Sequence, residues 1–363
     1  MPYSAQSDLS GSCGQLVWVG LEGTYPTEAE WRMLEHIRPG GVTLFRRNIE
    51  SAAQVRALTS ALTRRLRPAP FLAVDQEGGR VSRLNGVLTD LPPAANWAKD
   101  GSIERVMRLA YWKGLGLHAL GFNVNFAPCV DLSEPQEPNG IGDRAFGSDR
   151  IRVTRLSYAY LRGLAAAGVA GCLKHFPGLG CARIDSHDAL PRIDRDRPAL
   201  WRHDLFPFRC LVRSSPMVMV AHAHYPSIMG ETPWPASLSR IMLVRLLRHR
   251  LGFRGLVLTD DLEMGGVPIR HDPEGVARRA LLAGVDVLLY CRPTDLAERA
   301  FRSLLEEALS RRSLQAIVRR AASRVATAKK ALGVWPPRRT RLPNLERANS
   351  ELRSLRGQMD SQV

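Results

Sequence analysis

The sequence has no apolar run of about 18 residues or more, which predicts that no helix of this chain spans a membrane. Its opening, Met1-Pro2-Tyr3-Ser4-Ala5-Gln6-Ser7-Asp8, has neither the basic start nor the apolar core of a secretory signal, so the expected compartment is the cytoplasm. Cysteine is sparse: Cys13, Cys129, Cys172, Cys181, Cys210 and Cys291 are scattered without a C-x-x-C pair, which argues against a disulfide framework and a zinc knuckle. No G-x-G-x-x-G follows a strand-like run, removing the main support for a dinucleotide fold. Neither a phosphate-binding loop nor a G-x-S-x-G elbow is present, and no cysteine sits in an activating context. Acidic residues are short relative to basic ones, 35 against 51, for a formal charge of +16. That excess suits polyanions or the steering of an anionic substrate. The arginines, however, are spread over many predicted helices with few aromatics between them, so a dedicated nucleic-acid site is not expected.

What remains is ample core material, 45% apolar in 363 residues, arranged in a strict alternation. Short apolar runs at 16–21, 42–45, 71–75, 123–127, 169–173, 217–221, 255–259 and 285–290 read as strands. Amphipathic stretches at 27–37, 51–66, 103–120, 151–167, 200–214, 239–251, 274–283 and 295–311 separate and follow them as helices, the first opened by the capping-box pattern Thr27-Glu28-Ala29-Glu30. Alternation of this kind means parallel strands with right-handed crossovers, and eight units predict an α/β fold, a single (β/α)8 TIM-type barrel, over 1–335. A further helix over 314–332 would pack across one end. After Val334-Trp335-Pro336-Pro337 the chain turns polar and basic, and 336–363 reads as a flexible tail dispensable for chemistry.

In such a barrel the loops after the strands' carboxyl ends converge on one pocket. Polar groups gather there: Asp75, Glu77, Arg80 and Arg83 after strand three, Asp131 and Arg144 after strand four, Lys174 and His175 after strand five with Asp185 and His187 beyond, His222 and His224 after strand six, and Asp260 and Asp261 at the end of strand seven. Carboxylates, imidazoles and guanidinium groups fit two reactions, glycoside cleavage and metal-assisted hydrolysis. Arg83 and Arg144 favour the first, since arginine bonds hydroxyls or carboxylates well and repels a metal.

These residues carry a family resemblance. Asp75-Gln76-Glu77-Gly78-Gly79-Arg80-Val81-x-Arg83-Leu84, Asn123-Val124-Asn125-Phe126-Ala127-Pro128-x-Val130-Asp131-Leu132, Gly142-Asp143-Arg144-x-Phe146-Gly147, Lys174-His175-Phe176-Pro177-Gly178, Asp185-Ser186-His187 and Thr259-Asp260-Asp261-Leu262-x-Met264 resemble the bacterial β-N-acetylhexosaminidases of glycoside hydrolase family three, over about residues 15–335. The resemblance implies a retaining exo-β-N-acetylglucosaminidase that removes terminal N-acetylglucosamine from peptidoglycan fragments, the N-acetylglucosaminyl-anhydro-N-acetylmuramic acid muropeptides of cell-wall recycling. It implies Asp260 as nucleophile, His187 as general acid/base oriented by Asp185, and Asp75, Arg83, Arg144, Lys174 and His175 as sugar-binding residues. It also implies no metal and no organic cofactor, a small carbohydrate as partner, and a monomer. An unperturbed imidazole, with a pKa of about 6.5, can both give and take a proton near neutrality, and a carboxylate two residues away can fix its tautomer.

One position departs from the pattern. The family usually reads K-H-F-P-G-H-G, and Leu179 replaces the second histidine, an exchange expected to alter loop hydration or closure. Three alternatives stay open. A histidine acid/base repels phosphate less than a glutamate would, allowing phosphate as acceptor; His222 and His224, with H-x-H spacing, could join His175 and Asp260 around a metal; and Leu179 with the net charge allows a sugar- or nucleic-acid-binding protein that has lost turnover.

Overall fold

The computed structural model describes residues 2–99, 101–133, 140–267, 272–292, 295–334 and 343–360. Eight parallel strands close into a barrel: β1 (Val17–Gly20), β2 (Gly41–Leu44), β3 (Phe71–Val74), β4 (Val124–Asn125), β5 (Ala170–Phe176), β6 (Met217–Val220), β7 (Leu256–Asp261) and β8 (Val287–Tyr290). Each pairs with the next in sequence, and Val17 beside Leu288 closes the ring. The (β/α)8 expectation holds. All four residues of β1, β2, β3, β6 and β8 are buried, as strands covered on both faces require. Trp18, Phe71 and Phe126 stack in the interior, with ring centroids 5.2 and 6.2 Å from Trp18.

The helices follow the apolar periodicity, with two local differences. Thr27 caps the helix Glu28–Ile37 as predicted: its Oγ1 accepts from the Glu30 amide at 3.2 Å and the Glu30 carboxylate accepts from the Thr27 amide at 2.8 Å. The helix expected at 200–214 is instead two short ones, Arg197–Arg202 and Phe206–Leu211. Pro207 explains the break, because a residue without an amide hydrogen suits the first turn of a helix and cannot continue one. Strand five also runs three residues further than expected, which places Lys174 and His175 within the barrel wall itself.

The chain ends differ more. Pro2–Gln15 forms a helix that no apolar periodicity in the sequence signals, with Leu9 and Cys13 buried. It lies over the amino-terminal end of the barrel, where the Gly14 carbonyl accepts from the Gly40 amide and Gln15 Oε1 from Lys329 Nζ at 2.6 Å.

The predicted mobile tail is corrected over Leu345–Asp360, which is a helix docked on the barrel. Leu345, Ala348, Leu352 and Leu355 are buried at spacings of three and four residues, one helical stripe, against the helix Ile103–Ala119. Asn349 fixes the register: its Oδ1 accepts from the Thr89 amide at 2.7 Å and its Nδ2 donates to the Val87 carbonyl at 3.2 Å. The expected boundary between 335 and 336 lies outside the described residues. Leu352→Ala is therefore expected to lower unfolding free energy by about 2–5 kcal/mol in urea titration, as for other buried leucines; an unchanged midpoint would mean the helix contributes nothing.

Candidate active site

Every polar group singled out at the strand ends falls at the carboxyl end of the barrel, where all but Glu77, Asp131, His222 and His224 line a cavity of about 310 Å³. Asp75, Arg83, Arg144, Lys174, His175, Asp185, His187 and Asp260 all line it, with Phe126, Leu179 and Met219 among the apolar walls.

The sugar-binding candidates form one buried network. Lys174 Nζ bonds Asp75 Oδ1 at 2.8 Å and Glu77 Oε1 at 2.6 Å. Arg144 grips Glu77 with two parallel bonds, Nε to Oε2 at 2.9 Å and Nη2 to Oε1 at 2.8 Å. Burial alone would discourage ionisation of Glu77, but Arg144 and Lys174 outweigh it and hold its carboxyl well below the usual range. Burial likewise opposes the Lys174 charge, and Asp75 and Glu77 more than restore it. Both charges therefore persist through the neutral range. Arg83 differs from its neighbours: its Nε is buried and bonds nothing among the described residues, while the residue itself lines the cavity.

The hairpin that presents Glu77 and Arg83 pairs Gln76–Gly78 with Val81–Ser82. It turns through Gly78 and Gly79 at φ of 120° and 56°, and a Cβ on Gly79 would stand 2.7 Å from Pro93, so both the backbone and the space demand glycine.

His175 is oriented by Asp131, which the sequence places at a strand end without indicating its role. Asp131 Oδ2 lies 2.7 Å from His175 Nδ1 and accepts from the His175 amide at 3.2 Å, while Oδ1 accepts from the Leu179 amide at 2.8 Å. Asp131 is fully buried; burial opposes its charge, yet the His175 contacts and the Leu179 amide keep it ionised below the usual carboxylate range. Held this way, the ring turns Nε2 toward Arg144 at 3.5 Å and toward Asp260 Oδ2 at 4.0 Å. Glu77 is the second such residue: it stands within the Asp75–Leu84 motif, but its pairing with two cations depends on contacts across strands. A carboxylate at each of two strand ends facing cations on the next was the available signal.

Asp260 caps β7 with its side chain 19% exposed into the cavity. Burial favours its neutral form, but the His175 and His222 rings, the Asp261 amide at 2.9 Å and Lys174 together lower its pKa below the usual range. It is an anion with a free oxygen. Its neighbour Asp261 goes the other way, raised to about 6 by burial, with its Oδ1 accepting from the Glu263 and Cys291 amides. The adjacent carboxylates thus do different jobs, one facing the cavity and the other bracing the turn.

The loop after β5 brings the remaining pair. Asp185 Oδ1 accepts from the His187 amide at 3.0 Å and lies 2.7 Å from His187 Nδ1, which leaves Nε2 as the working nitrogen. The imidazole is 67% exposed. The Ser186 and His187 carbonyls accept from the Gly266 and Gly265 amides at 3.1 and 3.0 Å, stitching this loop to the turn after Asp260. Gly140 closes on Asp185 from the opposite side; at φ of 73°, any Cβ there would stand 2.3 Å from Asp185 Oδ2.

The histidine pair proposed for a metal is engaged elsewhere. His222 is fully buried, with Nδ1 2.8 Å from Ser237 Oγ and Nε2 3.1 Å from the Asp261 carbonyl, and His224 Nδ1 lies 3.2 Å from the Trp234 carbonyl. Both rings brace the loops after β6, so the set of His222, His224, His175 and Asp260 does not converge. Among the described residues, Cys129, Asp131 and His175 do have ligand atoms mutually within 4.8 Å. There the Cys129 thiol is pushed well up by burial and by Asp131, and donates to Asp131 at 3.3 Å, which is a hydrogen-bonding role.

A closed (β/α)8 barrel with an ionised carboxylate, a carboxylate-oriented histidine and a cationic sugar-sized cavity at its carboxyl end defines a glycoside hydrolase site. The family model of the glycosyl hydrolase family 3 N-terminal domain matches residues 9–328. A β-hexosaminidase of Pseudomonas aeruginosa is 40% identical over 285 residues, 78% of this chain and 84% of that one. One from Thioalkalivibrio sulfidiphilus is 41% identical over 298 residues, 80% and 84% of the two chains. Among solved structures, a family 3 β-N-acetylglucosaminidase from Paenibacillus superposes with a TM-score of 0.88 at 32% identity, over 96% of this chain and 68% of that one. NagZ from Neisseria gonorrhoeae in complex with N-trifluoroacetyl-D-glucosamine superposes with a TM-score of 0.71 at 31% identity, over 85% and 98%. The chain belongs to glycosyl hydrolase family 3, in its β-N-acetylhexosaminidase branch.

Proposed function

We propose that this protein is a retaining exo-β-N-acetylglucosaminidase that removes terminal N-acetylglucosamine from peptidoglycan fragments, N-acetylglucosaminyl-anhydro-N-acetylmuramic acid muropeptides, acting as a monomer in the cytoplasm. One observation carries the reading: the anionic Asp260 and the Asp185–His187 pair line the same small cavity as Asp75, Arg83, Arg144, Lys174 and His175. In the first step Asp260 attacks the anomeric carbon while His187 Nε2, protonated, gives its proton to the departing oxygen. The glycosidic bond breaks as the bond to Asp260 Oδ forms. In the second step neutral His187 takes a proton from water, which displaces Asp260 and restores the starting state with the configuration retained. Asp185 fixes the tautomer and stabilises the imidazolium. Lys174, Arg144 and Arg83 hold the sugar's hydroxyls, and the Lys174 and Arg144 charges are kept by the carboxylates beside them.

The sugar class is supported by the Neisseria relative bound to an N-acylated glucosamine, and the aglycone by the motif resemblance and the excess of positive charge. Assay of aryl N-acetyl-β-glucosaminide against the glucoside and xyloside is the test, with a kcat/KM preference of at least about 100-fold expected for the first, as for sites that hydrogen-bond a substituent. Equal rates on all three would overturn the assignment. Products formed with and without added phosphate identify the acceptor, free N-acetylglucosamine in both being the result expected for water.

A further inference from the structure

Behind the sugar-binding cations lies a second polar cluster, between the barrel and its helices, that the proposed chemistry does not use. Lys113, from the helix Ile103–Ala119, is 1% exposed. Its Nζ donates to the Glu77 carbonyl at 2.6 Å and to Tyr160 Oη at 2.9 Å. Asn125, at the end of β4, accepts from the Gln76 amide at 3.0 Å through Oδ1 and donates to the Gln76 carbonyl at 3.1 Å through Nδ2. Gln76 in turn reaches across the hairpin, its Oε1 accepting from the Arg83 and Leu84 amides at 2.9 and 3.1 Å. The backbone at residues 76 and 77 is thus gripped on three polar atoms from below, while the Glu77 carboxylate above grips Lys174 and Arg144.

We infer that Lys113 is a positioning residue for sugar binding, setting through the Glu77 main chain where the Glu77 carboxylate holds Lys174 and Arg144. The chemistry of the site argues for this over simple packing. A methionine would fill the same volume without a charge to desolvate, and burying an ammonium is costly unless its bonds are needed. That cost is visible: burial draws the Lys113 pKa down to about 7, with the Glu77 charge only partly opposing it. The lever is short. Lys113 binds Glu77 directly, and Glu77 is within 2.9 Å of both cations, whereas the bonds described for Lys113 reach neither Asp260 nor His187. Loosening it should therefore weaken ground-state and transition-state binding alike, raising KM and sparing kcat.

The inference rests on the reading that Lys174 and Arg144 bind the sugar, and wild-type hydrolysis of an aryl N-acetyl-β-glucosaminide tests that reading separately. In Lys113→Met, KM for that substrate is expected to rise about tenfold with kcat within about threefold, the effect of one buried carbonyl losing its donor. Lys113→Arg, which restores donors and charge, should recover part of the loss. Tyr160→Phe keeps the core shape and removes one of the two bonds that orient Lys113, so it should raise KM about two- to threefold and carries the test if Lys113→Met does not fold. With an active wild type, a folded Lys113→Met of lowered melting temperature but unshifted KM, or an unshifted Tyr160→Phe where that variant must stand in, would overturn the inference. So would a fall in kcat at constant KM.

Discussion

Asp260→Ala is expected to reduce kcat on an aryl N-acetyl-β-glucosaminide by on the order of 10⁴-fold or more, the scale set by removing other catalytic nucleophiles. Among the described residues, no other anion is placed to substitute. Asp75 is tied to Lys174, Glu77 is consumed by Lys174 and Arg144, and Asp131 is sealed beneath His175. Asp261, the neighbour in sequence, also lines the cavity, but its Oδ1 is bound to the Glu263 and Cys291 amides, and burial raises its pKa to about 6. Binding should survive, because the sugar's contacts run through the cations; the product N-acetylglucosamine should bind the variant within a few-fold of the wild type. Appreciable turnover by Asp260→Ala would remove the nucleophile assignment.

The second large effect depends on the leaving group. Proton transfer by a placed side chain contributes about 10²–10⁴-fold. His187→Ala is expected to lose that much on a substrate with a basic leaving oxygen, and far less in the first step on one with an acidic aryl leaving group, which departs without a proton. The His187 ring is 67% exposed, so its removal leaves no cavity and the comparison is free of a stability loss. Equal losses on both substrates would argue that His187 acts in binding instead.

Much of this site is legible in the sequence because a barrel converts order along the chain into convergence in space. Asp75, Arg144, Lys174, His187 and Asp260 are far apart in number, and only the alternation of short strands and helices says that their loops share one rim. Pairings within the rim were not legible. That Asp131 turns His175, and that Glu77 holds both Lys174 and Arg144, follow from the register of β3, β4 and β5, a property of packing between strands. The H-x-H spacing of His222 and His224 was a fair metal signal, but the acceptors that claim those rings, Ser237, Trp234 and the Asp261 carbonyl, come from later in the chain. The helix 345–360 was missed for another reason. Its buried stripe has only three leucines and an alanine amid polar and charged residues of both signs, and only the facing helix Ile103–Ala119 makes it a contact surface.

Leu179 illustrates both sides. The departure from the family pattern is plain in the sequence, while its setting is not. The Leu179 side chain is buried in the cavity wall, and its amide bonds Asp131. An amide makes that bond whatever side chain it carries, so the support of His175 is kept and only an imidazole is absent from the wall.

In the proposed reaction a covalent bond to Asp260 forms, and His187 is needed to break it by activating water. Intact-mass measurement and peptide mapping of His187→Ala, quenched during turnover of an aryl N-acetyl-β-glucosaminide with an acidic leaving group, tests both parts at once. The account predicts accumulation of enzyme heavier by one N-acetylglucosaminyl group, located on the peptide that contains Asp260. Burst release of the aryl group with no sugar attached to the protein, or sugar attached anywhere other than Asp260, would contradict it.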